Sequence, residues 1–507
     1  MKMDCAELLK TKNGPLAEED KNLIQKAYDF AKHAHEGQER KSGDPYFVHC
    51  FETAKMVARW GLDAHVVSAA LLHDTAEDTK HALKKVEEEF GKEIASLVDG
   101  VTKLGHFKYR EEERRWRKDG DHVADNFRKL IFALSEDIRV IFIKFADRLH
   151  NMKTLDALPQ EKRNRVALET YEIYAPLAYR LGMTFAAGEL EDLSLPYLFP
   201  KEYKWLIENV PQKFEEGEAY LQVVKKILEG DLKKNGVAPK EINFRTKRLS
   251  SIYKKLKKYD MDLDQIYDLV AMRIIVESVE DCYKTMGIIH GIWKPLPGRI
   301  KDYVALPKPN GYQSIHTTVF CVNQKITEFQ IRTEQMNEEA QYGIAAHWAY
   351  TEAKEKKPYE KRRVVFADKK EAAWIKHLNT WQESRDPDKK GFIESLKNDF
   401  LQDRIFVVSP KGDVFDLPHG ATPVDFAYHI HSEVGNECSG AKVNGRLIPL
   451  DHELRSGDVV EILRQKNKKP SDSWLRFVKT NAAKEHIKEV LRKKENLMSR
   501  LWNIRKK

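Results

Sequence analysis

The period of the hydrophobic pattern changes near Ile242, and a single layer of secondary structure cannot carry both periods. Before that point, residues from about 15 to 195 place apolar side chains three and four positions apart, as in Leu23, Ile24, Ala27, Tyr28 and Ala31, and again in Val166, Leu168, Tyr171 and Tyr174. This spacing predicts an all-α first domain. After it, short β-branched stretches such as 270–276 and 317–320 alternate with helical ones, which predicts a mixed α/β domain ending near Tyr350. The 507 residues exceed what one core organises and, at ~150 per domain, predict roughly three or four domains.

The charged, aperiodic run from Glu352 to Pro358 reads as a solvated linker. From Asp403 the pattern turns β-rich. Arg404–Val408 and Asp413–Leu417 flank a Pro-Lys-Gly turn, and Asn444-Gly445 between two short apolar runs signals a type I′ hairpin. With a helix from Val424 to Ser432 between the hairpins, this stretch predicts a small ubiquitin-like β-grasp. The expected fold class is therefore multidomain α and α+β. Residues 1–195 are all-α, 196–350 mixed α/β with leading helices, 351–400 a charged linker and helix, 401–465 the β-grasp, and 466–507 a basic helical segment.

A composition of 41% hydrophobic and 33% charged residues excludes wholesale disorder. No apolar run approaches the ~20 residues of a membrane span, and the N-terminus lacks a signal-peptide core, so a cytoplasmic protein with no membrane partner is expected. Five cysteines, odd in number and without a C-x-x-C pair, predict reduced thiols. The net charge is +8, and Arg476–Lys507 alone holds eleven basic and three acidic residues, so the surplus equals that of the tail, an expected RNA contact.

His73-Asp74-Thr75-Ala76-Glu77-Asp78 follows an apolar helix, and residues four apart share a helical face, aligning His73 with Glu77 and Asp74 with Asp78. Two further islands, Pro45–His49 and Phe145–Asn151, add His49 and Asp147. His49, His73, Asp74 and Asp147 match the ligand pattern of an HD-type phosphohydrolase, and this mixed nitrogen and oxygen set suits Mn²⁺ while leaving positions open for water and substrate. The ion is expected to lower the pKa of a water that Glu77 and Asp78 orient or deprotonate for attack on phosphorus. Arg40 and Lys41 are expected to hold the anionic substrate. His33 and His35 lie two apart on a helix, on different faces, and are left out.

Neither G-x-x-x-x-G-K-[ST] nor G-x-G-x-x-G occurs, so any nucleotide must be held by side chains. Residues 245–258 carry seven basic side chains and no acidic one. Ser251 and Lys255 share a helical face, with Arg245 and Lys247 ahead of the helix, an arrangement suited to a triphosphate. Asp268, before one strand, and Glu328, on another, can share a magnesium ion. The loop 298–317 between them mixes cations, a turn and an exposed aromatic, able to pair phosphates and stack a base.

Taken in order, the HD pattern, the basic helix, Arg299-Ile300-Lys301-Asp302, Lys308–Ser314, Glu328–Thr333 and Tyr342–Trp348 resemble the long RelA/SpoT homologues of the bacterial stringent response, over about residues 20–490. The β-grasp resembles their TGS domain. The resemblance implies a synthetase that moves the β,γ-pyrophosphate of ATP to the 3′-hydroxyl of GDP or GTP, making (p)ppGpp, and a hydrolase that removes it. It implies that Arg245 and Arg273 sandwich adenine and that Lys247, Ser251 and Lys255 bind the ATP phosphates. Asp268 and Glu328 become a Mg²⁺ pair, with Glu328 also the base. Tyr312 stacks guanine, and Lys301, Lys308, Asn310, Gln313 and His316 lie around the nucleotides. In the hydrolase, Asn151 and Thr154 meet the guanosine end.

Arg299–Asp302 follows the R-x-K-D form of bifunctional members, which with the full HD ligand set implies both activities. Long members continue into a zinc-finger-like or RRM-like module and an ACT domain, so the sequence is expected to be a truncated or a naturally short member. His431 falls where tRNA-binding members read a 3′ end, implying uncharged tRNA and the ribosome as partners. An HD-containing tRNA nucleotidyltransferase is a rival reading, but Asp262-Leu263-Asp264 lacks the Gly-Ser such enzymes carry. Against a non-catalytic tRNA or ribosome sensor stand the intact ligand sets.

Overall fold

The computed structural model describes residues 3–12, 16–75, 83–105, 136–257, 259–266, 268–308, 310–346 and 404–492. They fall into two units that divide between Arg385 and Asp386, and each is described by itself.

The first unit opens with helices α1 (Cys5–Thr11), α2 (Glu18–Ala34), α3 (Tyr46–Arg59), α4 (Ala64–Leu72), α5 (Leu83–Gly105) and α6 (Arg139–Lys153). Eight of the nine residues of α4 are buried, so it is a central helix that needs no polar face. Asp63 starts it by accepting from the backbone N–H groups of His65 (2.7 Å) and Val66 (2.9 Å). α6 is nearly as enclosed, with Phe142, Phe145 and Ala146 fully buried. The enclosure of both helices matters because candidate ligands sit at the C-terminal end of α4 and in the middle of α6. α7 (Gln160–Glu169), a π-helical turn (Thr170–Tyr174), α8 (Ala175–Arg180), α9 (Thr184–Leu198) and the long α10 (Pro200–Lys234) complete the helical part.

The sheet that follows contains β1 (Glu241–Thr246), β2 (Val270–Val276), β3 (Lys294–Pro295), β4 (Lys301–Asp302), β5 (Ile315–Phe320) and β6 (Ile326–Thr333), in the order β1-β2-β6-β5-β3 with β4 also on β5. β2 and β6 run parallel and every other pairing is antiparallel. Parallel neighbours need a crossover, and α12 (Val279–Ile292) begins it. One face of the sheet, with Met272, Ile274, Phe329 and Ile331, packs on Leu221, Val224 and Leu228 of α10 and on Cys282 and Ile289 of α12. Short α11 (Leu249–Leu256) follows β1, and α13 (Glu334–Tyr342) follows β6.

The helical part meets the end of α13 backbone to backbone. Gly182 and Gly343 both have positive φ (74° and 54°), and a Cβ at position 343 would collide with Leu181 O and Gly182 C. Ile344 N–H donates to Leu181 O at 3.0 Å across the same junction. Gly343→Ala is expected to cost about 2 kcal/mol of stability, read as a lowered urea midpoint at unchanged slope.

In the second unit, β7 (Arg404–Val408) and β8 (Val414–Pro418) form one hairpin, and β9 (Cys438–Val443), β10 (Arg446–Ile448) and β11 (Val460–Arg464) form a three-stranded sheet in the order β10-β9-β11. Asn444 and Gly445 both take positive φ (52° and 81°), as the expected type I′ turn requires. The helix expected from Val424 to Ser432 spans Pro423–Ile430 (α14) instead, because His431 is extended (φ −167°) and caps a second short helix, α15 (Ser432–Asn436), through Nδ1 and the Glu433 N–H (3.2 Å).

The segment after β11 packs on α14: Trp474, Val478, Ala483 and Ile487 join Val424, Ala427, Tyr428 and Cys438 in one apolar cluster. Its anchor is Asp425, wholly buried, whose carboxylate accepts from Thr422 N (2.9 Å), Thr422 Oγ1 (2.8 Å), Thr480 N (2.8 Å) and Thr480 Oγ1 (2.8 Å). Asp425→Ala orphans those donors and is expected to destabilise this unit by about 3 kcal/mol. The check is loss of hydrogen-exchange protection at the Thr480 amide. Among the described residues, no helix is long and apolar enough to cross a membrane. The expected linker at 351–400 and the tail beyond residue 492 lie outside them.

Candidate functional site

Two separate groups of polar side chains stand out in the first unit. The first lies where α3, α4 and α6 converge. His49 comes from α3, His73 caps the C-terminus of α4 with Asp74 next to it, and Asp147 comes from α6. One ligand atom each from His49, His73 and Asp74 lies within 4.8 Å of the others. Asp147 joins through Oδ1, 3.3 Å from His49 Nε2, while Asp74 Oδ2 is 3.4 Å from the same nitrogen.

His73 tests whether this cluster fits a cation. Its Nδ1 is 2.8 Å from Ala70 O, a pure acceptor, so that nitrogen carries the proton and Nε2 presents a lone pair. Nε2 is buried, makes no hydrogen bond, and lies 3.3 Å from Asp74 Oδ1. A lone pair facing a carboxylate in a buried site fits an intervening cation, and a backbone carbonyl on the far nitrogen is the usual orienting partner of a histidine ligand.

Burial opposes charge on Asp147, but Lys144 and then His49 hold its carboxyl well below the ordinary range. Lys144 Nζ bonds Asp147 Oδ2 at 2.7 Å, and Asn151 Nδ2 donates to Oδ1. Tyr46 donates its hydroxyl to Asp74 Oδ2 (3.1 Å). Arg40, expected at the substrate, points inward at His150 Nδ1 (3.1 Å) and Asn151 Oδ1 (2.6 Å), whereas Lys41 is exposed. Thr154 caps α6. His35 is buried and stacks on Tyr46 (4.8 Å), a packing role. Glu77 and Asp78 lie outside the described residues. Sequence reasoning missed Tyr46, Lys144 and His150, although all three stand within or one residue from the islands that supplied the ligands.

The second group lies on the sheet face opposite the core. Strand alternation sends Phe329 and Ile331 inward and Glu328, Gln330 and Arg332 outward. Register then aligns one residue from each of five strands: Asn243 with Arg273, Arg273 with Gln330, Gln330 with His316, and His316 with Lys301. This polar row is the floor of the site. Arg273 Nε donates to Asn243 Oδ1 (2.8 Å), and Arg245 Nη1 to Gln330 Oε1 (3.2 Å). Asn243, Gln330 and Arg332 escaped the sequence reading, since nothing local marks them until the strands are paired.

At one edge, Asp268 is held by the Lys247 and Lys255 ammonium groups, the latter at 2.6 and 2.8 Å. Burial lowers Lys247 to about 8 against the opposing pull of Asp268, and Asp268 itself sits below its ordinary value because, despite burial, both lysines favour its charge. Glu328 accepts from Gln330 Nε2 (2.8 Å) and lies 3.5 Å from His316 Nδ1. It is also close enough to Lys255 to favour that ammonium. Asp192 on α9 accepts from Ser250 N–H (2.9 Å) and Arg248 (3.2 Å), which fixes the start of α11 and so Ser251 and Lys255.

Tyr312 is half-buried rather than exposed as expected, because Arg332 Nη2 donates to its hydroxyl (3.0 Å) and His316 Nε2 lies 2.7 Å from it. Lys308 Nζ sits 4.8 and 5.0 Å from the Tyr303 and Tyr312 ring centroids. Asn310 Oδ1 accepts from Tyr312 N–H (3.3 Å), and Gln313 Nε2 donates to Val304 O (3.3 Å).

Three family models match this chain: the HD domain over residues 27–184, the region found in RelA/SpoT proteins over 244–355, and the TGS domain over 405–464. A Myxococcus xanthus protein named GTP pyrophosphokinase is 45% identical over 94% of the chain and 61% of its own length. The bifunctional (p)ppGpp synthase/hydrolase SpoT of Escherichia coli is 41% identical over 94% of the chain and 66% of its own. The chain is a RelA/SpoT homologue. This RelA/SpoT homologue thus spans a little under two thirds of the curated relatives it matches. A metazoan ortholog of SpoT of known structure, which hydrolyses ppGpp, is 24% identical, with a TM-score of 0.25 over 36% of this chain and 88% of its own.

Lys308 gives the sheet site of the homologue a pH dependence. Burial, with Lys301 and Arg245 nearby, pushes its ammonium down to about 8. A bound anion favours the charged form, so binding takes up protons near pH 8, and affinity is lost as pH rises through that value. Affinity of this face for inorganic triphosphate is expected to fall at least roughly tenfold from pH 7 to pH 9, because Lys247 is lowered to about 8 as well. Calorimetry in two buffers of different ionisation enthalpy reads both quantities.

Proposed function

We propose that this chain makes and degrades (p)ppGpp at two separate sites. What carries the reading is the coexistence of a buried His-His-Asp cluster among helices and a cationic row on a sheet face, in a chain with a relative named for both activities. On the sheet, Arg245 and Arg273 sandwich the adenine of ATP, Lys247, Ser251 and Lys255 take its phosphates, and Tyr312 stacks the guanine of GDP or GTP. Lys301, Lys308, Asn310, Gln313 and His316 surround the two nucleotides. Glu328 accepts the 3′-hydroxyl proton as that oxygen bonds to the β-phosphorus and AMP leaves. Lys247 and Lys255 exchange Asp268 for phosphate oxygens when ATP arrives, which frees the Asp268 carboxylate. Alignment and charge neutralisation do most of the work in such a transfer.

In the helical cluster His49, His73, Asp74 and Asp147 hold a divalent ion, Mn²⁺ because the set mixes imidazole nitrogens with carboxylate oxygens and leaves positions open, and Asp268 with Glu328 hold Mg²⁺. Bound there, these ions supply Lewis-acid activation of water in the first site and neutralisation of phosphate charge in the second. Glu77 and Asp78 orient the attacking water, and Asn151 and Thr154 meet the guanosine end, with Lys41 at the phosphates. Arg40 belongs to this pocket as well. The substrates are cytoplasmic nucleotides, and the reading puts the enzyme with them. The TGS unit, with exposed His431 and the basic segment after it, meets uncharged tRNA or the ribosome.

Asp268→Ala is expected to abolish synthesis from ATP and GDP while hydrolysis of ppGpp with Mn²⁺ continues, and Asp74→Ala to do the reverse. Losses on the order of 10³-fold in each assay are expected from removing a group that holds the metal. Retention of both activities in either variant, or their absence from the unaltered chain, rejects the two-site assignment.

A further inference from the structure

The helical cluster contains a cation that the metal-site reading leaves without a task in holding the ligands. Arg40 directs Nη1 at His150 Nδ1 (3.1 Å) and Nη2 at Asn151 Oδ1 (2.6 Å). A guanidinium has five N–H donors and no acceptor, so both atoms it meets must accept. His150 Nδ1 therefore carries no proton. His49 Nδ1 lies 2.9 Å from that same atom, and two bare nitrogens cannot bond, so His49 Nδ1 carries the proton and donates it.

A neutral imidazole, the form a metal ligand takes, has one N–H. With it spent on His150, His49 Nε2 is left with its lone pair directed at the space shared with Asp147 Oδ1 (3.3 Å) and Asp74 Oδ2 (3.4 Å). The other prong works in parallel. Asn151 Oδ1 accepts from Arg40, which turns its Nδ2 to donate to Asp147 Oδ1. The guanidinium also lies 5.7 Å from the Tyr46 ring centroid, and Tyr46 donates to Asp74.

We propose that Arg40 is a positioning residue of the metal centre: through His150 it sets the tautomer of His49, and through Asn151 it orients Asp147. The proposal rests on the metal-centre reading above and gives Arg40 a role other than substrate binding. The two roles differ in sign. A guanidinium that only anchored substrate would repel a nearby cation, and its removal would leave Mn²⁺ binding unchanged or tighter. A guanidinium that organises two ligands loosens the ion when removed, by the roughly 10- to 100-fold seen for partners of metal ligands.

The test is titration of the full chain with Mn²⁺, followed by calorimetry and by the electron paramagnetic resonance of free Mn²⁺. Asp268→Ala is introduced throughout to silence the sheet site, and thermal melting checks each fold. Arg40→Ala and His150→Leu are expected to weaken Mn²⁺ binding about 10- to 100-fold. His150→Gln is expected to recover most of it, because an amide oxygen can accept from both His49 and Arg40. That rescue keeps the test decisive even where His150→Leu melts early. Unchanged or tighter binding in Arg40→Ala, in a protein whose Asp74→Ala variant loses Mn²⁺, overturns the relay alone. Failure of the unaltered chain to bind Mn²⁺, or binding that survives Asp74→Ala, overturns the metal-centre reading and the relay with it.

Discussion

Asp147 is almost wholly removed from water, and an unpaired carboxylate there would cost several kcal/mol. Lys144, one helical turn back on α6, meets one oxygen, and Asn151, one turn forward, meets the other. The charge is thus neutralised and hydrogen-bonded from within its own helix before any other element is involved. This lets α6 lie in the centre of the helical part, with α3 and α4 packed against it, and lets two histidines approach a carboxylate that is already fixed. A helix carries its compensated anion inward, and two histidines and the Asp74 carboxylate, bonded by the Tyr46 hydroxyl, meet it there.

The sheet meets the same constraint differently. Most of its described cations line an open face, where water shares the burden, whereas Arg332, beside Gln330, is buried. Arg332 has no carboxylate partner among its described bonds and relies on the Tyr312 hydroxyl and Gln330 Oε1. The parallel pairing of β2 with β6 matters most here, because it brings Arg273 beside Gln330 across a sequence gap of more than fifty residues. With that one pairing in place, the antiparallel neighbours extend the row on both sides without further specification.

Much of this was legible in the residues. The change of period near Ile242 separated the helical from the sheet-bearing part, and Asn444-Gly445 announced its hairpin. His49, His73 and Asp74 were recognisable because each sat in a short island of polar residues beside an apolar helix. His150 stood in plain view on the island that supplied Asp147, yet nothing local distinguishes a histidine that bonds another histidine from one that faces solvent. Asn243 and Gln330 were hidden for a related reason, since their neighbours are set by strand register. Tyr312 looked exposed because a loop with Pro, Asn and Gly around it suggests surface, whereas Arg332, twenty residues on, pulls its hydroxyl down. The end of α14 was misjudged by two residues because His431 gives up helical geometry to cap the next helix.

The junction of Gly182 with Gly343 acts as a bearing surface. Gly182 abuts Asn310 on one side and Gly343 on the other, so a single tight turn of the helical part touches both the loop that carries Tyr312 and the chain leaving α13. With no side chain in the gap, there is no compressible material between the parts. The aromatic loop cannot sink toward the helical part without moving the turn. Asn310 Nδ2 also donates to Tyr179 O (3.5 Å), so the same turn that blocks the loop also holds it.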